Sequence, residues 1–273
     1  MWVSIVIIIV GTEICALALI LTRRWRQEHP KRYQKTPIAG DVFGVVGTGF
    51  AVILAFVILT AFESYATARE DAGIESVATR QMYSLARFFP EQSRDTLEGG
   101  LICYARAVVN DEWPAMATGQ SSPRVDRWVD TLDDDMVALP VATNKEIEVF
   151  NTWFSRAAER QEGRRGRLAE SAPYVPPFVW AMLVLLFVVV VGYQVLFASP
   201  KIPLIPQVLG VSAVAATMLA GIVVVYVLDA PFADRGAMLP PTRMQATQVA
   251  METEYKGNAT PIPCDAVGNP TQP

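Results

Sequence analysis

The sequence has little charge, one histidine and few cysteines. Charged residues make up 18% of the 273 residues, where soluble domains have roughly a quarter, and 52% of the residues are hydrophobic. The single histidine, His29, and three cysteines without a Cys-x-x-Cys pair exclude the usual zinc sites. This composition is typical of an integral membrane protein and not of a soluble domain.

Further absences narrow the function. No Gly-x-Ser-x-Gly motif is present and His29 lies in a basic loop, so we expect no catalytic triad and no enzyme. No cofactor is indicated, because the glycines after Gly40 are not followed by Gly-Lys-Ser/Thr. The large polar region is acidic, which argues against a nucleic-acid partner. The acidic run at 133–135 lacks the alternating ligand spacing of a calcium loop, so we expect no metal site.

Four apolar runs are long enough to cross a bilayer, for which a helix needs about 20 residues. They are Trp2–Leu21, Val42–Phe62, Phe178–Phe197 and Ile205–Leu228. The sequence therefore predicts an all-α integral membrane protein with four transmembrane helices. An inserted soluble helical domain lies between the second and third spans.

The second span organises the chain because its helix is predicted to continue beyond the membrane surface. Between Glu63 and Phe89 there is no proline, and apolar side chains recur with helical spacing. The recurring positions are Ile74, Ala78, Met82, Leu85 and Phe89. We expect one helix to leave the bilayer and continue into the soluble domain until Pro90 ends it.

Three more amphipathic helices are predicted in the soluble domain, with starts near Pro123 and, capped by Asn144, at Lys145. Their apolar stripes are Leu97, Leu101, Tyr104 and Val108; Val125, Trp128, Val129, Leu132 and Met136; and Ile147, Phe150, Phe154 and Ala158. The predicted organisation is spans 1 and 2 with a basic loop in 1–64, a four-helix domain in 65–174, spans 3 and 4 in 175–230, and an extended or disordered tail in 231–273.

Charge asymmetry predicts the topology. Six basic residues follow the first span against one acid, Glu28, which places this loop in the cytoplasm. They are Arg23, Arg24, Arg26, Lys31, Arg32 and Lys35. The protein is then a multi-pass plasma (inner) membrane protein whose soluble domain and C-terminus lie outside the cytoplasm. Cys103 and Cys264 would share an oxidising compartment, where they can be bonded or free.

Six residues are candidates for a pore or relay. Glu13 is an acid inside the first span; it is either an ion relay or a protonated side chain bonded to a neighbouring helix. Gly44 and Gly47, with Thr48, line either a pore or a helix-packing face. Glu63 and Arg69 follow the second span and form either an ion-selecting vestibule or a solvated helix surface.

Several stretches together resemble the bestrophin-like bacterial membrane proteins. They are Phe43–Gly44–Val45–Val46–Gly47 to Tyr65 with Ala68–Arg69, Asp111–Glu112–Trp113–Pro114–Ala115–Met116, Pro177–Phe178–Val179–Trp180 and Leu228–Asp229–Ala230–Pro231–Phe232, across about residues 40 to 240. The resemblance implies a four-span homo-oligomer that acts as an anion channel. Bestrophins keep their soluble region in the cytoplasm and have a neck of bulky apolar residues; no such cluster stands out in Val42–Phe62.

Two functions from different classes follow. In the first, the chain forms a homo-oligomeric ion channel in the lipid bilayer, with the second span along the axis. In the second, the outward domain binds an envelope or membrane-complex protein and the spans serve as an anchor. A ring with a water-filled axis distinguishes the channel; a dry bundle with an exposed apolar patch on the domain distinguishes the anchor.

Overall fold

A computed structural model of the chain describes residues 2–28, 39–141, 143–198, 202–236, 238–256 and 260–271. These ranges are almost entirely helical and contain no β-strand, only an isolated bridge between Cys264 and Pro270. The helices are α1 (Trp2–Glu28), α2 (Ala39–Ala86), α3 (Glu91–Ala107), α4 (Trp113–Met116), α5 (Pro123–Val137), α6 (Asn144–Ala169), α7 (Pro177–Phe197), α8 (Leu204–Leu228) and α9 (Thr242–Glu254). Lys31, Arg32 and Lys35 of the basic loop lie outside the described residues.

The chain forms two compact units. The first contains residues 1–64, 173–229 and 235–237, and the second contains 65–172, 230–234 and 238–273. Helix α2 contributes to both, because its 48 residues run without a break through the boundary at Ser64 and Tyr65. This confirms the prediction that the helix of the second span continues beyond its apolar run and into the helical domain.

The first unit contains the membrane helices. Four helices of the described chain are long and apolar enough to span a bilayer, as predicted: α1, α2, α7 and α8. Its core includes Leu19, Phe50, Leu183 and Ala215. Space is tight at two glycines, since a Cβ at Gly11 would lie 2.7 Å from Leu219, and one at Gly221 would lie 2.5 Å from Leu54. Small residues thus let α1 and α2 approach α8.

The second unit is a helical domain in which α5 and α6 begin at side-chain caps. The Ser122 hydroxyl accepts hydrogen bonds from the amides of Arg124 and Val125 at the start of α5. Helix α6 begins with a capping box in which Thr143 and Glu146 satisfy each other's backbone amides. The cap of α6 is therefore Thr143 and not Asn144, because only Thr143 is followed by an acid at the third helical position.

The predicted apolar stripe of α6 was wrong in part, since only Phe150 and Phe154 of its four residues pack against the core. Ile147 and Ala158 are exposed, and Phe150 and Phe154 are only half-buried. The buried face instead contains Val149, Trp153, Ala157, Arg160, Gly163, Arg164 and Arg167. Three arginines on this face hid it from a pattern based on apolar residues.

The tail is not extended or disordered where it is described. Residues 242–254 form α9, which buries Met244 and Met251 two turns apart. The Tyr83 hydroxyl donates to the carbonyl of Met251 at 3.1 Å, and Arg106 pairs with Glu252 at 2.8 Å. Partners far away in sequence stabilise a segment whose own apolar content is low, which is why composition alone predicted disorder.

Candidate functional site

One face of α2 in the first unit is left uncovered by the described residues of the chain. Val52, Phe56 and Leu59 are 49%, 64% and 51% exposed, although all three are bulky and apolar. Their spacing of four and three residues continues to Glu63, whose side chain is also exposed. This is the spacing of a straight seam along one side of a helix. The opposite side, with Phe50, packs into the core of the unit.

The glycines at the start of α2 contribute no packing within the chain. A Cβ added at Gly44, Gly47 or Gly49 would have no atom within 4 Å among the described residues. Thr48 beside them is exposed. The two close approaches inside the first unit use Gly11 and Gly221 instead, so no described residue packs on the space that a side chain at Gly44 or Gly47 would occupy.

Glu13 and Glu63 are both exposed acids on membrane helices. Neither forms a hydrogen bond or ion pair with any residue in the described part of the chain. A carboxylate on an apolar helix is costly to leave facing hydrocarbon. Both therefore need water, a second subunit or a change of protonation to be stable in a bilayer.

Arg69 does not join these acids in a cluster that the structure describes. It lies on α2 in the second unit, where it lines a small cavity with Tyr65, Trp113 and Arg243. The predicted pore residues thus fall into separate groups, which are Gly44, Gly47 and Thr48 near the start of α2, Glu63 on its uncovered seam, Glu13 on α1, and Arg69 beside a cavity.

The second unit has an ionic network in its core that the sequence analysis missed. Glu75 on α2 and Arg167 on α6 are both fully buried and form two hydrogen bonds of 2.6 and 2.9 Å. Arg167 also donates to Glu112 at 2.7 Å, and the Tyr104 hydroxyl donates to Glu75 at 2.6 Å. Arg164 donates to both oxygens of Glu112. Such bidentate pairs are the strong form of charge-assisted hydrogen bond.

The charges of this network decide its protonation. Burial would raise the pKa of Glu112, but the hydrogen bond from Arg164 and the charges of Arg167 and Arg164 outweigh burial and hold that pKa below its ordinary value. Burial and the charge of Glu75 raise the pKa of Tyr104 well above its ordinary value. At neutral pH the network therefore contains an ionised Glu112. Tyr104 keeps its proton and donates a hydrogen bond to Glu75.

Arg160 is buried on the same face of α6 without a hydrogen-bonded partner. Its guanidinium lies over the ring of Tyr104, 4.7 Å from the centroid, and none of its three nitrogens has an acceptor in the described chain. The ring provides a cation–π contact. A charge held in this way is far less well compensated than that of Arg167.

A close helix contact brings the network together. A Cβ on Gly163 of α6 would lie 2.6 Å from the backbone nitrogen of Glu75 and 2.7 Å from the carbonyl oxygen of Asp71. Only glycine permits this approach of α6 to α2. The signal in the sequence was the pattern Arg160, Gly163, Arg164, Arg167 at helical spacing, with acids at 75 and 112 as partners.

Cys103 and Cys264 are joined by a disulfide that spans 161 positions in the sequence, with their Cα atoms 5.8 Å apart. Around it, Arg106 donates to the carbonyl of Asp265 at 3.0 Å, and the Trp128 indole donates to the carbonyl of Gly268 at 2.8 Å. The bond thus belongs to a packed segment of 260–271 on α3 and α5. Cys15, in α1, is a buried free thiol.

Comparison with known proteins identifies the fold. The chain is similar to solved structures of a bacterial bestrophin homologue from Klebsiella pneumoniae. For one single-residue mutant the TM-score is 0.73 at 15% identity, over 90% of this chain and 99% of that one. For a second the TM-score is 0.74 at 14% identity, over 91% and 100%. No curated protein matches. The model of the Bestrophin-like domain matches residues 10–237, most of the chain. The protein therefore belongs to the bestrophin-like family.

Proposed function

We propose that this protein is a subunit of an oligomeric ion channel in which α2 faces the axis. The observation that carries the proposal is the uncovered seam of Val52, Phe56, Leu59 and Glu63 along one side of α2. Its regular spacing suits packing around a common axis. Near the start of the same helix, a Cβ at Gly44 or Gly47 would meet no described atom within 4 Å, and Thr48 beside them adds an exposed polar side chain.

The seam has the two parts that a pore needs. Phe56 and its apolar neighbours would form a narrow hydrophobic constriction, which gates by excluding water. Glu63 at the end of the apolar run would form a ring of carboxylates, and such rings favour cations. The family resemblance favours anions, so Glu63 is the residue through which selectivity is best measured.

Ion flux through liposomes tests the proposal. We expect Phe56→Ala to raise flux several-fold over wild type, since it widens the constriction. Leu185→Ala is the matched control, because Leu185 on α7 is 62% exposed against 64% for Phe56. We expect Glu63→Gln to shift the reversal potential towards the equilibrium potential of the anion. Equal flux for Phe56→Ala and Leu185→Ala, or a monomer in lipid, would contradict the proposal.

We also propose that the second unit lies outside the cytoplasm. The basic residues after α1 support this orientation, and so does the disulfide, which persists in oxidising compartments. The test is labelling of intact cells with a membrane-impermeant maleimide. A cysteine at the exposed Gln120 is expected to react and one at Gln27, beside the basic residues, to be protected; the reverse pattern would refute this orientation.

A second function remains open because the second unit carries an uncovered apolar groove. Ile74 and Val77 of α2 and Phe88, just after this helix, are 40%, 53% and 49% exposed, and Arg156 of α6 lines the groove beside all three. A partner protein could dock there, with the spans as an anchor. A wild-type protein that is monomeric in lipid and carries no flux would favour this second function.

A further inference from the structure

A cavity of about 170 Å³ in the second unit has features of an oxyanion site. It is enclosed by α2, by the segment around Trp113 and by the start of α9. The lining residues are Tyr65, Arg69, Ala72, Trp113, Leu239, Pro240, Thr242 and Arg243. Two cations from helices far apart in sequence thus meet at one small space, and no acid is among the lining residues.

Neither arginine is used elsewhere in the described chain. Arg69 and Arg243 form no ion pair and donate no side-chain hydrogen bond to any described residue. The other arginines of this unit that face acids are engaged, as Arg80 and Arg87 are with Glu254. Glu70 lines the adjoining groove with Arg243 but makes no ion pair with it there. Two free guanidinium groups at a cavity can bind an anion with several donors at once.

The backbone of α2 makes room for one of the two guanidinium groups. A Cβ on Gly73 would fall within contact distance of Arg243, 3.2 Å from its central guanidinium carbon and 3.5 Å from its Cδ. Gly73 is therefore a recess in which the Arg243 side chain lies. This recess offers a way to displace the guanidinium without removing its charge.

The start of α9 adds donors at the same place. No side chain caps this helix, and Pro240 and Pro241 precede its first residue, Thr242. Uncapped first-turn amides and the helix dipole favour a negative group. The Trp113 indole donates to the carbonyl of Leu239 at 2.8 Å and fixes the segment that leads into α9.

We propose that Arg69, Arg243 and the N-terminus of α9 bind a phosphate-type oxyanion, either free phosphate or the headgroup of an anionic lipid. The cavity has the size of a small oxyanion and not of a nucleotide. The lipid source is available because Arg69 follows the end of the apolar run at Phe62 by seven residues, about 10 Å along a helix. The site lies on a different part of α2 from the seam and does not depend on conduction.

The experiment uses the full chain and two probes. Calorimetric titration with inorganic phosphate, in detergent at fixed ionic strength, measures the free anion. Native mass spectrometry from nanodiscs with and without phosphatidylglycerol counts the anionic lipids retained. Both are applied to wild type, Arg69→Gln, Arg243→Gln, Gly73→Ala and the control Arg127→Gln, which removes an exposed arginine of α5 away from the cavity.

We expect Arg69→Gln and Arg243→Gln each to weaken phosphate binding, or to reduce lipid retention, at least tenfold, and Arg127→Gln to leave both unchanged. Gly73→Ala should weaken binding at unchanged net charge. An effect on phosphate alone assigns the site to a free anion, and an effect on phosphatidylglycerol alone assigns it to a headgroup. Binding that is absent in wild type, or equal in all variants, overturns the proposal. The two arginines are exposed, so their variants retain the fold and carry the test even if Gly73→Ala unfolds.

Discussion

Arg160 and Arg167 show that two buried charges of one helix can be compensated by different kinds of interaction. Both are fully buried, two turns of α6 apart. Arg167 has two glutamates and lies over the ring of Trp113 at 4.9 Å, whereas Arg160 lies over the ring of Tyr104 and has no hydrogen-bonded acid in the described chain. A buried ion pair is costly to break because the remaining partner keeps its desolvation penalty. The side chains alone do not reveal this difference; only their partners do.

Replacing each arginine by methionine separates the two situations. We expect Arg167→Met to lower the free energy of unfolding by about 3–5 kcal/mol, since it removes the buried cation that bonds both Glu75 and Glu112 and leaves Glu75 with only the Tyr104 hydroxyl among the bonds described above. Arg160 has no hydrogen-bonded acid in the described chain to lose, so Arg160→Met should change this free energy by less than about 1 kcal/mol in either direction. Chemical denaturation of the full chain in detergent measures both. Similar losses for the two variants would show that the network is not ionic in solution.

The lowered pKa of Glu112 predicts an acid-dependent loss of stability. A carboxyl whose folded pKa lies below its unfolded value of about 4.3 adds stability above that value, which is lost as pH falls through the folded pKa. The difference in unfolding free energy between wild type and Glu112→Gln is therefore largest near neutral pH and shrinks below about pH 4. Denaturation of both proteins between pH 3 and 7 measures it. A difference independent of pH would contradict ionisation of Glu112.

The packing of α6 on α2 depends on a residue without a side chain. Gly163 allows α6 to contact the backbone of α2 at Glu75, the residue whose side chain pairs with Arg167. The distance between the two helices and the geometry of this ion pair are therefore set together. At Gly11 and Gly221 the space is filled instead by leucine side chains, those of Leu219 and Leu54, so the backbone contact sets Gly163 apart from these two glycines.

Gly163→Ala is expected to destabilise the protein by about 1–3 kcal/mol, although alanine is the better helix former. The added methyl group would meet rigid backbone atoms of Asp71 and Glu75, which cannot turn aside as a side chain can. Thermal unfolding of the variant measures the loss. Gly119→Ala is unsuitable as a control because Gly119 has a positive φ, so Ala158→Gly on the exposed face of α6 serves to calibrate helix propensity.

Long elements were predictable from sequence because period and length are local properties. The four spans, the run of α2 through the membrane boundary and the apolar faces of α3 and α5 all follow from residues within one helix. The face of α6 was not, since Arg160, Arg164 and Arg167 resemble a solvated surface until their glutamates are in place. The helix in 242–254 was missed for the same reason: its partners are more than 140 residues away.

The candidate site was only partly predictable. The sequence shows which acidic, basic, small or polar residues lie in or next to the apolar runs: Glu13, Gly44, Gly47, Thr48, Glu63 and Arg69. Which of them share a surface depends on how the helices pack. Val52, Phe56 and Leu59 were passed over because bulky apolar residues in a span carry no signal of their own. What marks them is that nothing in the described chain covers that side of α2.

At the scale of the whole molecule, the second unit is held together by chain segments on both sides of α7 and α8. Its residues come from 65–172, 230–234 and 238–273, and the bond between Cys103 and Cys264 ties the last of these to α3. A crosslink over so long a loop stabilises chiefly by restricting the unfolded chain.

We expect the double variant Cys103→Ser/Cys264→Ser to lose about 2–5 kcal/mol of unfolding free energy in the second unit. Dithiothreitol should lower the thermal midpoint of the wild type if it reaches the buried sulfurs, and leave that of the double variant unchanged. Thermal unfolding with both proteins, with and without reductant, measures this. An unchanged midpoint in the double variant would mean that the contacts of Arg106 and Trp128 hold the segment without the bond.

The discontinuity of the second unit also sets an order of events during synthesis. Helices α2 to α6 emerge first, but α9 and Cys264 follow only after α7 and α8 have been made and inserted. In that interval the residues that later cover Met244 and Met251 are exposed to solvent, and Cys103 has no Cys264 to bond with. The nascent domain is thus an incomplete fold with exposed apolar surface, the state in which chains aggregate. A chaperone that covers this surface therefore acts before α9 is in place, whereas a thiol oxidase can join Cys103 to Cys264 only after Cys264 has been made.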